Sequence, residues 1–138
     1  MTEAGLRAMR EACGITRQEL AGMLDVSSST VKKWERGEKP VPQDAVDLVL
    51  SFFDRHEDVV QAAVDAFLDA HEDTGVETAT ITYFRGQDQY DAHGRDPGSY
   101  HMANANARAA AERIVGLGFE VEFRYPDEGA VRTPGSRY

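Results

Sequence analysis

The sequence has few of the features that mark secreted, membrane-spanning or disulfide-bonded proteins. Its single cysteine, Cys13, excludes an intrachain disulfide and fits a buried thiol in the first helix. No apolar run approaches the roughly 20 residues that a membrane-spanning helix needs. The N-terminal segment has no apolar core of the signal-peptide type. The chain is therefore expected in the cytoplasm, with no membrane partner.

Patterns that indicate an enzyme are missing as well. The sequence has no phosphate-binding glycine loop, no nucleophile elbow and no histidine pair spaced for zinc on a helix. Solvated loop residues, rather than a metal site, are the simpler interpretation of Asp91, His93, Asp96 and His101. Core packing, rather than a ligand pocket, is the simpler interpretation of Tyr83, Phe84, Tyr90 and Tyr100. We expect no catalysis, no cofactor and no metal.

Negative charge is in excess, which at first argues against a nucleic-acid partner. The 138 residues include 15 Lys and Arg against 24 Asp and Glu, a net charge of −9. Residues 1–40 carry seven basic and six acidic side chains (net +1), residues 41–75 one and nine (−8), and residues 76–138 seven and nine (−2). Salt screens charges beyond about 8–10 Å, so the first 40 residues can still meet an anionic partner.

The stretch from Thr16 to Gly37 predicts two short helices joined by a tight turn. Thr16 and Glu19 have the spacing of a capping box, which starts the first helix. Asp25 tolerates a left-handed backbone better than most residues, and Ser27 is a favourable N-cap for the second helix. Gly37 suits the end of that helix.

The second of these helices, Ser28 to Arg36, is predicted to have two distinct faces. At about 100° per residue, one arc of about 140° holds only hydroxyl and basic side chains, namely Ser28, Ser29, Lys32, Lys33 and Arg36. Val31 and Trp34 point the other way, into a core. Small hydroxyls near the N-terminal end and lysines further along suit the major groove of DNA.

This stretch resembles the Cro/C1-type (XRE-like) helix-turn-helix regulators, over about residues 1–50. The likeness is carried by Thr16, Glu19, Leu20, Ala21, Leu24, Val26, Ser27, Ser29, Thr30, Val31, Trp34, Glu35 and Gly37. The resemblance implies base-edge contacts from Ser28, Ser29, Lys32 and Lys33. It also implies phosphate contacts from Arg17, Ser27, Arg36 and Lys39. The chain departs from the family pattern at Arg17, where glutamine is common, and at Asp25, where glycine is frequent.

Helices are also predicted on both sides of this stretch. Glu3 to Ala12 precedes it, with Leu6, Met9 and Cys13 on one apolar face. Gln43 to Phe53 and His56 to His71 follow, with apolar stripes at Val46, Val49 (or Leu50) and Phe53, and at Val60, Ala63, Val64, Phe67 and Leu68. The second helix has an acidic face, which is interpreted as a solvated surface or, alternatively, as a docking surface for a basic protein. Its members are Glu57, Asp58, Asp65, Asp69, Glu72 and Asp73.

The residue pattern changes after Thr74-Gly75. A strand over Glu77–Arg85, a loop over Gly86–Ser99, a helix over Tyr100–Gly116 and a strand over Phe119–Tyr125 are predicted, followed by a polar tail. Three parts are expected: a helix-turn-helix domain with an extended acidic helix over residues 1–73, a dimerisation or partner unit over residues 76–125, and a flexible tail over residues 126–138. Two strands and a helix leave open edges, so this unit should pack on the acidic helix or pair with a second copy.

The fold class expected is a mainly α, lambda repressor-like helix-turn-helix domain of about five helices, followed by a small α+β strand-helix-strand unit. The expected function is a sequence-specific transcriptional regulator, a repressor, that binds double-stranded DNA as a homodimer. The alternative is an antitoxin-type module that binds a protein partner through the acidic helix and the C-terminal unit. A C-terminal sensor of a small molecule is a third possibility. The whole chain also loosely resembles the uncharacterised YdiL-like bacterial family, which implies a regulator and no mechanism.

Overall fold

The structure, a computed structural model, describes residues 1–94, 96 and 98–129. Its elements in chain order are α1 (Glu3–Cys13), α2 (Arg17–Leu24), α3 (Ser28–Glu35), α4 (Gln43–Thr74), β1 (Thr78–Thr82), α5 (Gln87–His93), α6 (Tyr100–Gly116), β2 (Glu120–Arg124) and α7 (Pro126–Gly129). The predicted fold class is confirmed: the protein is mainly helical, with an N-terminal helix-turn-helix and a small sheet near the C-terminus.

Side-chain and glycine caps set the limits of the first two helices. The Thr2 hydroxyl accepts a hydrogen bond from the Gly5 N–H and starts α1, and Gly14 ends it with a left-handed φ of 73°. At the start of α2 both bonds of the predicted capping box are present, each 3.0 Å long, between Thr16 and Glu19. Local sequence therefore determines these boundaries before any tertiary packing.

Compact packing divides the chain into two units, residues 1–58 and residues 59 onward. In the first unit, α1 and α2 both contact α3. Its fully buried apolar side chains come from all four helices and the α1–α2 turn: Leu6, Cys13, Ile15, Leu20, Val31 and Val49. Trp34 and Ala45 are also buried there, so the predicted inward direction of Val31 and Trp34 is confirmed.

The acidic region is one helix and not two. Helices over Gln43–Phe53 and His56–His71 were expected, but α4 runs without a break through 32 residues. Neither glycine nor proline occurs between residues 43 and 74, so no residue in the segment favours a break. The helix-turn-helix part therefore has four helices rather than about five. Gly75, with a φ of 74°, follows the end of α4, and its N–H donates to the His71 carbonyl.

The second unit is a strand-helix-strand arrangement packed on the C-terminal part of α4. β1 and β2 are parallel, with Ala79 beside Val121 and Ile81 beside Phe123. Val60 and Val64 of α4 share a core with Ala79, Ala110 and Ile114, and partly buried Phe67, Leu68, Ile81, Phe119 and Val121 surround it. Of the two predicted arrangements, packing on the acidic helix or pairing with a second copy, the structure shows the first.

The acidic face and part of one apolar stripe lie in solvent. Asp58, Asp65, Asp69, Glu72 and Asp73 are exposed, and Glu57 is half-buried. In the earlier stripe Val49 is buried, whereas its alternative Leu50 is exposed. In the later stripe Ala63 is exposed. The stripe is narrower because the C-terminal core covers only the side of α4 that carries Val60 and Val64.

Several predicted boundaries are corrected. The strands are shorter than expected, and the predicted loop contains α5, which begins after Gly86 without a side-chain cap. Residues 126–129 of the predicted tail form a helical turn, in which the Asp127 carboxylate accepts a 2.7 Å hydrogen bond from Arg85. The rest of the tail, from residue 130, lies outside the described residues. The division between the two units falls at Asp58–Val59, within α4, whereas the sequence predicted a domain boundary at Thr74-Gly75. The predicted domain limits stay a prediction.

Two neighbouring valines on α4 test the C-terminal core. Val60 is fully buried and Val59 is 44% exposed. We expect Val60→Ala to lower the free energy of unfolding by about 2 kcal/mol, because two methyl groups leave a packed core and a cavity remains. Val59→Ala should change it by less than about 0.5 kcal/mol, since exposed substitutions leave no cavity. Urea unfolding followed by circular dichroism measures both. Equal effects would show that the core does not include α4.

Candidate nucleic-acid interface

Helix α3 has a buried side and an exposed side. Val31 and Trp34 are 0% and 4% exposed. The opposite side is solvent-exposed and consists of Ser28, Ser29, Lys32 and Lys33, with Arg36 exposed at the C-cap. The structure therefore brings together on one surface the four side chains that were predicted to contact bases.

The turn between α2 and α3 is tight even though it lacks glycine. Asp25 takes the left-handed conformation, with φ 55° and ψ 44°, and is the non-glycine residue with positive φ in the described chain. The Asp25 and Val26 N–H groups donate to the carbonyls of Gly22 and Ala21, at 3.4 and 3.0 Å. Aspartate is among the few residues that adopt this conformation at modest cost, so the turn does not need the family's glycine.

Hydrogen bonds at both ends define the length of α3. The Ser27 hydroxyl accepts from the Thr30 N–H at 3.1 Å and caps the N-terminus. At the other end the Glu38 N–H donates to the Lys33 carbonyl at 2.9 Å, and Gly37 has a φ of 75°. A phosphate contact from the Ser27 hydroxyl would have to share that oxygen with the cap. Lys39 is exposed just beyond this end.

A buried carboxylate links α3 to the two preceding helices. Glu35 accepts two hydrogen bonds from Arg10, at 2.7 and 3.0 Å, and one from Arg17 at 3.0 Å. The Glu35 side chain is 1% exposed and that of Arg10 is 8% exposed. Arg10 also donates to the Ile15 carbonyl at 2.9 Å. One side chain of α3 is thus held by one residue of α1 and one of α2.

The ion pairs change the ionisation of this carboxylate. Burial by itself would raise the pKa of Glu35, but the hydrogen bonds and positive charges of Arg10 and Arg17 outweigh burial and lower that pKa below its ordinary value of 4.5. Glu35 is therefore ionised at neutral pH. Two arginines around one carboxylate leave a net charge of +1 on the cluster.

Sequence reasoning missed this cluster, although the sequence contained a signal for it. Arg10 is four residues after the buried Leu6, and Glu35 is four residues after the buried Val31. Each charge therefore stands on an apolar helical stripe, and opposite charges on two such stripes predict a buried pair. Arg17 pairs with Glu35 while its side chain stays one third exposed, and its predicted phosphate contact stays a prediction.

The comparison with protein families agrees with this geometry. Residues 6–60 match the helix-turn-helix family. The match spans α2, the turn, α3 and much of α1, and it extends into α4. That family consists of DNA-binding regulatory domains. The matched segment ends before β1, so the likeness of the whole chain to the YdiL-like family stays a prediction. A comparison with the curated proteins finds none that matches the chain.

Within residues 1–94, 96 and 98–129, no three His, Cys, Asp or Glu side chains gather as metal ligands do. Burial and the negative charge of Glu57 raise the pKa of the Cys13 thiol to about 11, as expected for a structural cysteine. Phe84 and Tyr90 pack edge to face with ring centroids 4.9 Å apart. None of the described helices is both long and apolar enough to cross a membrane.

The buried carboxylate leads to a pH-dependent prediction. Glu35→Gln should lower the free energy of unfolding at pH 7 by about 3 kcal/mol, because Arg10 is left buried without its counter-charge. Because the pKa of Glu35 is lower in the folded than in the unfolded state, its ionised form stabilises the folded protein at pH values above the unfolded-state pKa. This contribution is lost as the pH falls through the folded-state pKa. The difference between wild type and variant should therefore be constant above about pH 5 and shrink below pH 4.5.

Urea unfolding between pH 7 and the acid limit of folding measures this difference, with Glu38→Gln as the matched control. Glu38 is exposed three residues further on, and its substitution should cost less than about 0.5 kcal/mol. A gap that stays constant down to the acid limit would refute the ionic role of Glu35.

Proposed function

We propose that the protein is a sequence-specific transcriptional regulator, acting as a repressor, that binds double-stranded DNA as a homodimer with α3 in the major groove. The observation that carries this proposal is the two-sided character of α3 within a domain that matches the helix-turn-helix family. The apolar side of α3, formed by Val31 and Trp34, is buried, so the side that carries hydroxyl and lysine side chains faces solvent.

Base contacts are assigned to the exposed side of α3. Ser28 and Ser29 are short, so the N-terminal end of the helix can come close to the base edges. Lys32 and Lys33 follow on the same side, and lysine pairs best with the O6 and N7 acceptors of guanine. We therefore assign sequence discrimination to these four residues, with preference for at least one G·C pair in each half-site.

Phosphate contacts are assigned to Arg17, Ser27, Arg36 and Lys39. Arg36 and Lys39 are exposed beyond the C-terminal end of α3, and Ser27 caps its N-terminal end. The Arg17 guanidinium is oriented by its Nε bond to Glu35 and keeps a one-third exposed side chain. Because this arginine side chain is already ordered before DNA binds, a phosphate contact costs less side-chain conformational entropy.

The proposed dimer follows from how little DNA one helix can read. A single recognition helix contacts only a few base pairs, whereas a twofold dimer reads two half-sites about 34 Å apart. The net charge of −9 opposes non-specific adsorption to DNA because the acidic excess, all of which lies after residue 40, repels phosphate. Specific contacts must then provide more of the affinity.

A protein-interaction module of the antitoxin type is the second candidate. It is favoured by one observation, the run of exposed carboxylates along α4 at Asp58, Asp65, Asp69, Glu72 and Asp73. A basic partner protein would gain electrostatic attraction along that helix. In this reading DNA binding is secondary.

Selection of binding sites from a random DNA pool, with purified protein at near-physiological salt, distinguishes the two candidates. The regulator predicts enrichment of an inverted repeat, and the repeat's spacing reports the dimer geometry. Absence of enrichment with a folded protein would contradict the regulator and favour the interaction module.

Variants of the exposed side of α3 test the assigned contacts. Lys33→Ala and Ser29→Ala should relax base preference, and Lys33→Ala should cost about 1–3 kcal/mol on the preferred site. Arg36→Ala should weaken binding to all sequences alike and reduce the salt slope by about one. Fluorescence anisotropy on preferred and scrambled duplexes, at several salt concentrations, measures both effects.

The matched control is Arg55→Ala, which removes the same charge from an exposed position on α4. It should leave affinity nearly unchanged, because the effect of Arg36 is assigned to contact and not to total charge. Unchanged affinity in the double variant Lys32→Ala with Lys33→Ala would show that α3 does not lie in the groove.

A further inference from the structure

The outer edge of β2 has backbone groups that point away from the sheet. The Glu120 N–H donates to the Glu77 carbonyl at 3.3 Å, and the Arg124 carbonyl accepts from the Tyr83 N–H at 2.9 Å. Even-numbered residues of β2 therefore pair with β1. Because the backbone alternates along a strand, the N–H and C=O groups of Val121 and Phe123 point to the opposite edge. In the described part of the chain the sheet has only these two strands.

The open edge is short and has definite ends. Before it, the Phe119 N–H donates to the Ile114 carbonyl at 3.3 Å. After it, the Tyr125 N–H donates to the Glu128 carboxylate at 3.0 Å, and the Tyr125 carbonyl accepts from the Glu128 N–H at 3.0 Å. Two residues, with two donors and two acceptors, are thus offered to a further strand.

An apolar groove of about 490 Å³ runs beside this edge, between α6 and β2. Its lining residues are Arg108, Ala111, Glu112, Val115, Val121 and Phe123. The four residues from α6 have the spacing of a single helical stripe. Val115 and Phe123 are 56% and 46% exposed, which is high for apolar side chains that face each other across a groove.

We propose that a second copy of this chain occupies the groove and the open edge, with the two β2 strands antiparallel about a twofold axis at Glu122. In this register Val121 pairs with Phe123 of the second copy, and the reciprocal pair forms on the other side of the axis. The two pairs use all four outward backbone groups of each strand. Two small sheets become one four-stranded sheet with a continuous apolar face.

Charge complementarity favours a second copy over an unrelated strand. β2 reads Glu-Val-Glu-Phe-Arg, so antiparallel self-pairing places Glu120 opposite Arg124 of the second copy, twice. Glu122 meets its own equivalent, but each Glu122 carboxylate is already held by Arg124 of its own chain at 2.9 Å. Along the groove, Arg108 and Glu112 lie one turn apart, so a twofold axis can bring unlike charges together there as well.

The alternative register is less favourable. A twofold axis at Phe123 would pair Val121 with Tyr125 of the second copy. The N–H and C=O groups of Tyr125 are already bonded to Glu128 in each copy, so that register would lose four of its six hydrogen bonds or break the turn after β2. Self-pairing at Glu122 needs no such change.

This inference rests on the proposed function only in assuming that the regulator is a dimer, and its test contains no DNA. Failure of self-association would leave the α3 contacts to be judged by DNA binding, and failure of DNA binding would leave this interface to be judged by ultracentrifugation. The whole 138-residue chain is used throughout.

Sedimentation equilibrium of two single charge reversals tests the register. In Glu120→Arg, and separately in Arg124→Glu, both cross-strand pairs become like-charged, so each variant should dimerise at least about tenfold more weakly than wild type. In an equimolar mixture the two variants carry complementary strands, and a heterodimer should form again. Circular dichroism confirms that each variant is folded. A folded mixture that remains monomeric would overturn the register.

Two exposed valines test the groove independently. Val115→Lys places a charge in the groove and should weaken dimerisation by about tenfold or more, whereas Val59→Lys, on α4 and outside the groove, should not. Lysine is tolerated at both positions because each lies on an exposed helical surface. The proposal would be overturned if the wild-type chain were monomeric at high micromolar concentration, or if Val115→Lys left the dimer dissociation constant unchanged.

Discussion

The carboxylate of Glu35 holds the helix-turn-helix domain in one arrangement. It is almost wholly buried and it meets Arg10 from α1 and Arg17 from α2. Apolar contacts alone would allow α3 to rotate or slide among similar packings, because they have no direction. Three directed hydrogen bonds to one carboxylate favour a single orientation. The rotation of α3 in turn decides which of its side chains face solvent, so the candidate DNA surface depends on a group that would not itself touch DNA.

The distribution of charge reconciles an acidic chain with a DNA-binding surface. Apart from Arg7, which pairs with Glu11 on α1, the positive side chains of the first 40 residues are either exposed on or just after α3 or paired with Glu35, and that cluster still carries a net positive charge. The acidic excess lies mainly on α4, where most of the carboxylates are in solvent. Because salt screens charges that lie farther away than the screening length, the charges close to α3 affect a bound phosphate more than the net charge of the chain does. A net charge of −9 is then compatible with local attraction to phosphate.

The C-terminal unit illustrates how a small strand-helix-strand arrangement gains a core. Two strands and α6 alone bury little, and the structure adds the C-terminal part of α4, whose Val60 and Val64 complete the cluster around Ile114. One face of the sheet is covered in this way, while the threonines and charged residues of the other face stay mainly in solvent. This packing leaves uncovered the edge of β2 and the groove next to it, in which Val115 and Phe123 are exposed.

The sequence by itself determined the local features: the capping box at Thr16 and Glu19, the Ser27 cap, the left-handed Asp25 and the inward side of α3. It also predicted α6 with the observed bounds, because caps, turns and periodicity depend on neighbours within a few residues. Tertiary structure decided the rest. Glu35 and Arg10 are 25 residues apart, and although their positions on apolar stripes indicate a buried pair, only the packed helices fix the geometry of that pair and add Arg17 to it. The continuity of α4 and the exposure of Phe123 depend likewise on which surfaces neighbouring elements cover, and that is a property of the packed chain rather than of any segment.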